Sequence, residues 1–286
     1  MGGLGNQLFQ YAAGRRLALR HGVPLKLDLS FLKGRQTGVT PRVYALNHFA
    51  ITVNEATKWD VSLMTGHGRT IYETAVIRIL RKFNGGTYHT ERMFEYDNQF
   101  PLLPDNTYLE GYWQSENYFI DIAETIRKEY TVTSLMDNKN REMSEYIKSV
   151  PAVSLHVRRG DYVTNSTTNA LHGVCCPEYY HKAIEVIRQS VEYPHIFVFS
   201  DDYDWCVTNL KLPIPTCFVN HNSELPHEDL RLMALCQHHI IANSSFSWWG
   251  AWLSSNCDKL IIAPKRWFGD NKRNTDNLIP PTWLRL

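Results

Sequence analysis

Charged side chains gather just past short apolar runs in this sequence. The densest gathering, His156-Val157-Arg158-Arg159-Gly160-Asp161-Tyr162, follows the apolar stretch from Ala152. Successive side chains alternate along an extended strand, so His156 and Arg158 point to the same side. One can grip a nucleotide while the other neutralises charge on its phosphates. Breaking a sugar–nucleotide bond leaves negative charge on the departing β-phosphate. A guanidinium fixed there stabilises the transition state more than the ground state. Arg158 is the first choice for that role, with Arg159 beside it. A structural ion pair of either arginine with a nearby aspartate explains the same residues equally well.

Three further clusters offer compatible chemistry. Gly2-Gly3-Leu4-Gly5-Asn6-Gln7 leads into an apolar helix, where glycines let backbone approach a ligand and free N–H groups suit an anion such as pyrophosphate. The third glycine of a dinucleotide fingerprint is absent, and no Lys-Ser/Thr follows as in a P-loop. A tight N-terminal turn is the competing explanation. Phe199-Ser200-Asp201-Asp202 ends another apolar run, and its carboxylates can accept from a ribose or orient the arginines. Asp202-Tyr203-Asp204 also matches D-x-D, whose oxygen ligands suit Mg²⁺ or Mn²⁺, although acidic residues after a strand more often cap a helix. His227-Glu228-Asp229 opens a helix. Asn243-Ser244-Ser245-Phe246-Ser247 closes an apolar run, and its hydroxyls and N–H groups can hold phosphate oxygens. Trp248, Trp249 and Trp252 recur at helical spacing, and at least two are expected in the core.

These residues need elements to carry them. From Ala152 onward, strands at 152–157, 196–200, 216–219, 239–242 and 260–263 alternate with helices near 177–192, 203–209, 226–237 and from Ser245. That rhythm predicts a parallel sheet covered by helices on both faces, with ligands at the carboxyl ends of the strands. In the first half, Leu8, Phe9, Ala12, Ala13 and Leu17 form one helical face, Gly22 supplies the stop, and 25–29 reads as a strand. A glycine-rich turn feeding a helix normally follows a strand, yet almost nothing precedes Gly2 here, which leaves a misplaced start codon or a missing first strand as the alternatives. Helical stretches near 55–65, 72–84 and 116–130 lie among aromatic loops, and polar residues with Pro151 set a domain boundary within 135–151, placed at 145/146.

Bulk properties narrow the partners. With 30 basic and 29 acidic residues in 286, no basic field exists to hold a nucleic acid. Small molecules or sugars are the expected ligands. No apolar run reaches the length of a membrane helix and no secretory signal is visible, so a cytoplasmic location is expected, with peripheral membrane association left open. The six cysteines form no C-x-x-C pair and are expected as reduced core thiols. The sequons at Asn165 and Asn243, and the adhesion-like Arg159-Gly160-Asp161, are read as chance.

Taken together and in order, GGLGNQLFQYA, HVRRGDY, FSDD and ANSSFSWWGAWL, with GYWQSENYF at 111–119, resemble the α-1,2-fucosyltransferases of glycosyltransferase family 11 over essentially the whole chain. The resemblance implies an α/β, GT-B-like fold of two Rossmann-type domains facing a central cleft. Residues 1–145 would be the acceptor-side domain and 146–286 the GDP-fucose-binding domain. It further implies GDP-fucose as donor, inversion at the anomeric carbon, a galactose-terminated acceptor, and neither cofactor nor metal. Matched to related fucosyltransferases, Arg158 resembles the β-phosphate arginine, His156 and Asp229 the guanine contacts, and Ser245 a phosphate ligand flanked by Ser244 and Phe246. Asn6, between Gly3 and Gly5 and the helix, would approach the pyrophosphate from the opposite domain. Asp201 and Asp202 match an acidic pair supporting the arginines or the ribose. Asp161, His172 and Glu178 are candidates for the general base, and Trp113 with Gln114 for the acceptor surface. A different GDP-fucose-dependent transferase, or an inactive nucleotide-sugar-binding protein, is the alternative.

Overall fold

The computed structural model describes residues 1–286 except 35, 37–39, 53, 69 and 271–272, and the side chains of 82–84. The chain divides into two compact units, Met1–Thr131 and Val132–Leu286. The break precedes the expected 145/146 boundary, because the helix that spans 145 packs on a helix of the second unit.

In the first unit, α1 (Leu4–His21) ends at Gly22, whose φ of 66° is readily adopted only without a side chain. It leads into β1 (Lys26–Leu27), the short α2 (Ser30–Lys33) and β2 (Asn54–Glu55). Then come α3 (Lys58–Thr65), with a Thr57–Asp60 capping box, α4 (Ile71–Asn84), β3 (Thr87–Thr90) and β4 (Thr107–Glu110). The strands form two separate parallel pairs, β1–β2 and β3–β4. The helix expected over 116–130 is broken into 3₁₀ turns at Glu116–Tyr118 and Ile120–Ile122, followed by α5 (Ala123–Glu129). Phe119 sits between the turns with φ −151°, an extended value that no helix tolerates, and its ring is fully buried.

The second unit opens with α6 (Asn138–Ser149), capped by Asp137, and β5 (Ala152–Val157). It continues through α7 (Gly160–Thr164), α8 (Ser166–His172), α9 (Pro177–Ser190), β6 (His195–Ser200), α10 (Tyr203–Asn209) and β7 (Thr216–Val219). Next are α11 (Pro226–Leu235), β8 (His238–Ile240), α12 (Ser245–Leu253), β9 (Ile261–Ala263) and β10 (Leu284–Arg285). Its six strands make one parallel sheet in the order β10–β9–β8–β5–β6–β7.

Both faces of that sheet are covered. Val153, Leu155 and Val157 pack with Tyr180, Ile184 and Ile187 of α9 on one side. Ala152, Phe197 and Phe199 pack with Ile147 of α6 and with Leu232 and Met233 of α11 on the other. The α/β class read from the sequence is therefore the class observed. From β5 the chain moves outward through β6 and β7, then returns to β8 on β5's other side. This reversal opens a crevice at the carboxyl ends of β5 and β8, where such sheets bind ligands.

Candidate functional site

Arg158 and Arg159 leave the end of β5 at that crevice. Arg158 Nη2 donates to Asp161 Oδ1 at 2.5 Å, and its Nη1 meets Asp201 Oδ2 at 2.6 Å. Asp201 is also fixed by the Arg159 backbone N–H, 2.8 Å from Oδ1. Arg159 Nε donates to Asp202 Oδ2 at 3.0 Å, and its guanidinium lies 4.1 Å from the Trp205 ring centroid. The ion-pair reading is thus realised for both arginines. Arg158 nonetheless keeps a fifth of its side chain open to solvent (21%), so an incoming anion can reach it. Gly160 makes the cluster possible, since a Cβ there would stand 2.4 Å from Asp201 Oδ2. Asp202 Oδ1 caps α10 through the Trp205 N–H, so the D-x-D carboxylate serves helix and arginine together. Among the described residues no cluster of His, Cys, Asp or Glu is arranged to hold a metal.

The crevice's other lip is the turn from β8 into α12. Ser244 caps the helix by accepting the Phe246 N–H at 3.3 Å, and Ser245 begins it. Asn243 is structural: its amide donates to the carbonyls of His172 and Trp267 at 2.9 and 3.1 Å, and its own carbonyl accepts from the Tyr162 hydroxyl. At 2% exposure it offers no surface for glycan attachment. His156 lies 5.6 Å from the Phe246 ring, with Nδ1 buried and without a hydrogen-bond partner. Burial lowers its pKa, opposed by the charge of Asp201, so it is a neutral imidazole at pH 7. Trp248, Trp249 and Trp252 are all core, as the helical spacing suggested.

Asp229 belongs to a second polar group. Its Oδ1 accepts from Asn222 Nδ2 at 2.9 Å, and Asn222 exchanges two hydrogen bonds with Asn140, which His221 also reaches at 3.1 Å. Burial pushes the Asp229 carboxyl up to about 7, with the Asn222 bond opposing and the charge of Glu228 adding. Sequence reasoning missed Asn222 and Asn140. His221-Asn222 stands just past the end of β7, the position rule that had flagged the other clusters.

A profile for glycosyl transferase family 11 matches residues 52–286. An Escherichia coli alpha-1,2-colitosyltransferase is 33% identical over all of this chain and 96% of its own length. An Escherichia coli O-antigen biosynthesis glycosyltransferase, WbnK, is 34% identical over all of this chain and 98% of its own. A Rattus norvegicus galactoside alpha-(1,2)-fucosyltransferase 1 is 28% identical over 54% of this chain and 43% of its own. The chain belongs to glycosyl transferase family 11.

In this family 11 glycosyltransferase the three general-base candidates differ in surroundings. Asp161 is committed to Arg158. His172 stacks on Tyr162 with centroids 4.7 Å apart, and burial lowers its pKa to about 4. Glu178 is exposed in the first turn of α9, its carboxyl held low by a hydrogen bond from Cys176. His172 and Glu178 line one cavity of about 940 Å³, with Lys182, Lys265 and Arg266. The thiols depart from expectation in part. All six are free, but Cys176 and Cys257 are exposed rather than core, the first beside Pro177 at the start of α9 and the second in a turn.

The first unit of the family 11 chain corrects the acceptor surface. Trp113 is 1% exposed, stacked on His89 and edge-on to Tyr118, with its N–H held by Glu91 at 3.0 Å. Its ring is core and cannot present a face to a sugar. Gln114 donates to Asn6 Oδ1 at 2.8 Å, fixing the asparagine that follows Gly3 and Gly5. Glu91, which binds the N–H groups of both Tyr112 and Trp113, is a residue that no motif announced.

Proposed function

We propose that this glycosyltransferase moves L-fucose from GDP-fucose to the 2-hydroxyl of a terminal β-galactoside, with inversion and without a metal ion. The observation that carries this reading is the Arg158–Arg159 pair at the sheet's switch point, opposite Ser244 and Ser245. The β-phosphate takes Arg158, whose two aspartates hold its guanidinium in one orientation before the donor arrives. Pre-orientation of this kind favours charge that develops in the transition state. Ser245 and the N–H groups opening α12 receive phosphate oxygens, while His156 and the Asp229 carboxylate face the guanine. The acceptor hydroxyl then attacks the anomeric carbon opposite GDP, and its proton passes to a base or to solvent.

Purified protein incubated with GDP-fucose, lactose and excess EDTA should yield α-1,2-fucosyl-lactose and GDP, read by mass spectrometry and linkage analysis. GDP release independent of acceptor would retain the donor and remove the galactoside. No turnover with GDP still bound would favour the inactive binding protein.

A second reading has its own support: the colitosyltransferase relative aligns over the full chain, the fucosyltransferase over 54% of it. Colitose lacks the 3-hydroxyl of fucose, so competing GDP-fucose against GDP-colitose tests it directly. A kcat/KM ratio favouring GDP-colitose by more than about tenfold, equivalent to about 1.4 kcal/mol, would replace fucose in the proposal.

A further inference from the structure

Helix α4 turns one side to the first unit and leaves its apolar side bare. Thr74, Ile77 and Arg81, spaced i, i+3 and i+7, form the covered line, in which Ile77 is fully buried and its two neighbours partly so. Tyr72, Val76, Ile79 and Leu80, spaced i, i+4, i+7 and i+8, form a stripe about 100° wide on another side. Their exposure runs from 40% at Leu80 to 86% at Tyr72, and Ile71 beside them is exposed as well. Apolar side chains scattered singly over a surface are ordinary. Four in one stripe over two helical turns make a continuous patch, which water disfavours and a partner covers.

Positive charge gathers at the same place. Residues 58–84 hold five basic residues against two acidic ones, in a chain whose 30 basic and 29 acidic residues otherwise nearly cancel. One of the two carboxylates, Asp60, is already held by Lys26 at 2.9 Å. The other, Glu73, lies in the first turn of α4, where it favours the helix's N-terminus. Arg78 is exposed on the flank of the stripe. Among the described residues no helix is long and apolar enough to cross a membrane. With 14 residues α4 is about 21 Å long, and its bare apolar stripe beside basic residues is the pattern of a helix that lies flat in a bilayer surface.

We propose that α4 docks the protein on an anionic lipid surface, lying parallel to the bilayer with Tyr72, Val76, Ile79 and Leu80 at the acyl-chain boundary and Arg78 among the headgroup phosphates. Two attractions combine there. Apolar side chains leave water for the acyl boundary, which does not depend on salt. Basic residues near the surface add an electrostatic attraction to anionic headgroups, which salt screens. Arginine suits the border between the two, since its stem lies along apolar surface while the guanidinium pairs with phosphate. A bilayer takes the stripe without a groove of matching shape and supplies anions all round it, as the dispersed basic residues of 58–84 require.

The test does not require turnover, so it stands apart from the transferase reading. The full chain is sedimented with vesicles of phosphatidylcholine alone and with vesicles that also contain phosphatidylglycerol. Binding should favour the phosphatidylglycerol vesicles by about tenfold or more and weaken at about 0.5 M salt. Amide exchange over residues 72–81 should slow with those vesicles and not with phosphatidylcholine. Val76→Glu combined with Ile79→Glu, both at exposed positions, should lower binding by about tenfold or more with Tm unchanged. Should that helix fray, Arg78→Glu reads the same surface through charge, and it should lower binding to the anionic vesicles by about fivefold or more. No binding to either vesicle, or equal binding by the parent and both variants, would overturn the proposal. So would a vesicle-independent dimer that Val76→Glu with Ile79→Glu dissociates, which would give the stripe to a second copy of the chain.

Discussion

The second unit presents six parallel strands in unbroken order, whereas the first, among the described residues, presents two pairs that share no ladder. The difference shows where each unit's polar side chains go. In the second, the strand ends place Arg158, Arg159, Asp201 and Ser244 around one crevice, and the backbone below them is already satisfied by the ladder. In the first, polar side chains do the joining that a continuous sheet would do. Gln7 donates to the carbonyls of Gly2 and Val43 and accepts from the Ala45 N–H. Glu91 holds the N–H groups of Tyr112 and Trp113, and Gln114 holds Asn6. One unit spends its polar groups on a site and the other on its own loops.

The largest effect should come from breaking the structural side of this contrast. Trp113→Ala removes a buried ring packed on His89, Phe100 and Tyr118, so a loss of about 3–5 kcal/mol is expected, measured by denaturant unfolding. Below the variant's melting transition the KM for lactose should be unchanged. A raised KM with normal stability would restore Trp113 to the acceptor surface.

The same contrast explains what was legible in advance. Strands at 152–157 and 216–219 and the helix from Ser245 were readable to the residue, because each buried strand is a continuous apolar run bounded by turn chemistry. The catalytic candidates followed from a rule of position, the carboxyl ends of parallel strands. Pairing between side chains did not follow. That Asp201 would hold both the Arg158 guanidinium and the Arg159 N–H depends on β6 lying beside β5, a tertiary fact. Nor could spacing separate a buried Trp113 from a sugar-facing one, since both readings predict an aromatic next to a polar amide. The broken helix at 116–122 follows the burial of Phe119, which no local propensity records.

Next in size is the site itself. Arg158→Ala should lower kcat/KM for GDP-fucose by about 10²–10³-fold, the usual loss when one transition-state donor is removed. Thermal melting should change far less, because the side chain is partly exposed and its partners can reach water. Normal turnover would leave the arginine as an ion-pair residue only. Gly160→Ala sharpens the point without touching a charge: its Cβ must displace Asp201, and Asp201 takes Arg158 Nη1 with it. A loss of roughly 10–100-fold in kcat, with GDP affinity retained, is expected from such misplacement. Retained kcat would show that Asp201 does not aim the guanidinium.

The smallest expected effect separates stability from binding at one residue. Burial raises the Asp229 carboxyl to about 7, whereas an unfolded aspartate titrates near its ordinary value of about 3.9. A pKa raised on folding means that the neutral carboxyl's stabilisation is complete below about pH 4 and is lost as pH rises through 7. Asp229→Asn stays neutral throughout, so it should match the parent near pH 4 and exceed it by about 1–3 kcal/mol at pH 8.5. Urea unfolding at the two pH values reads this directly. Binding should move the other way. Guanine presents two N–H donors on one edge, and a carboxylate accepts both, while an amide offers one oxygen and sets its own N–H against the second donor. GDP affinity should therefore fall by about tenfold at pH 8.5, measured by calorimetry. A variant that is no more stable there, yet binds GDP as the parent does, would remove both the buried charge and the guanine contact from Asp229.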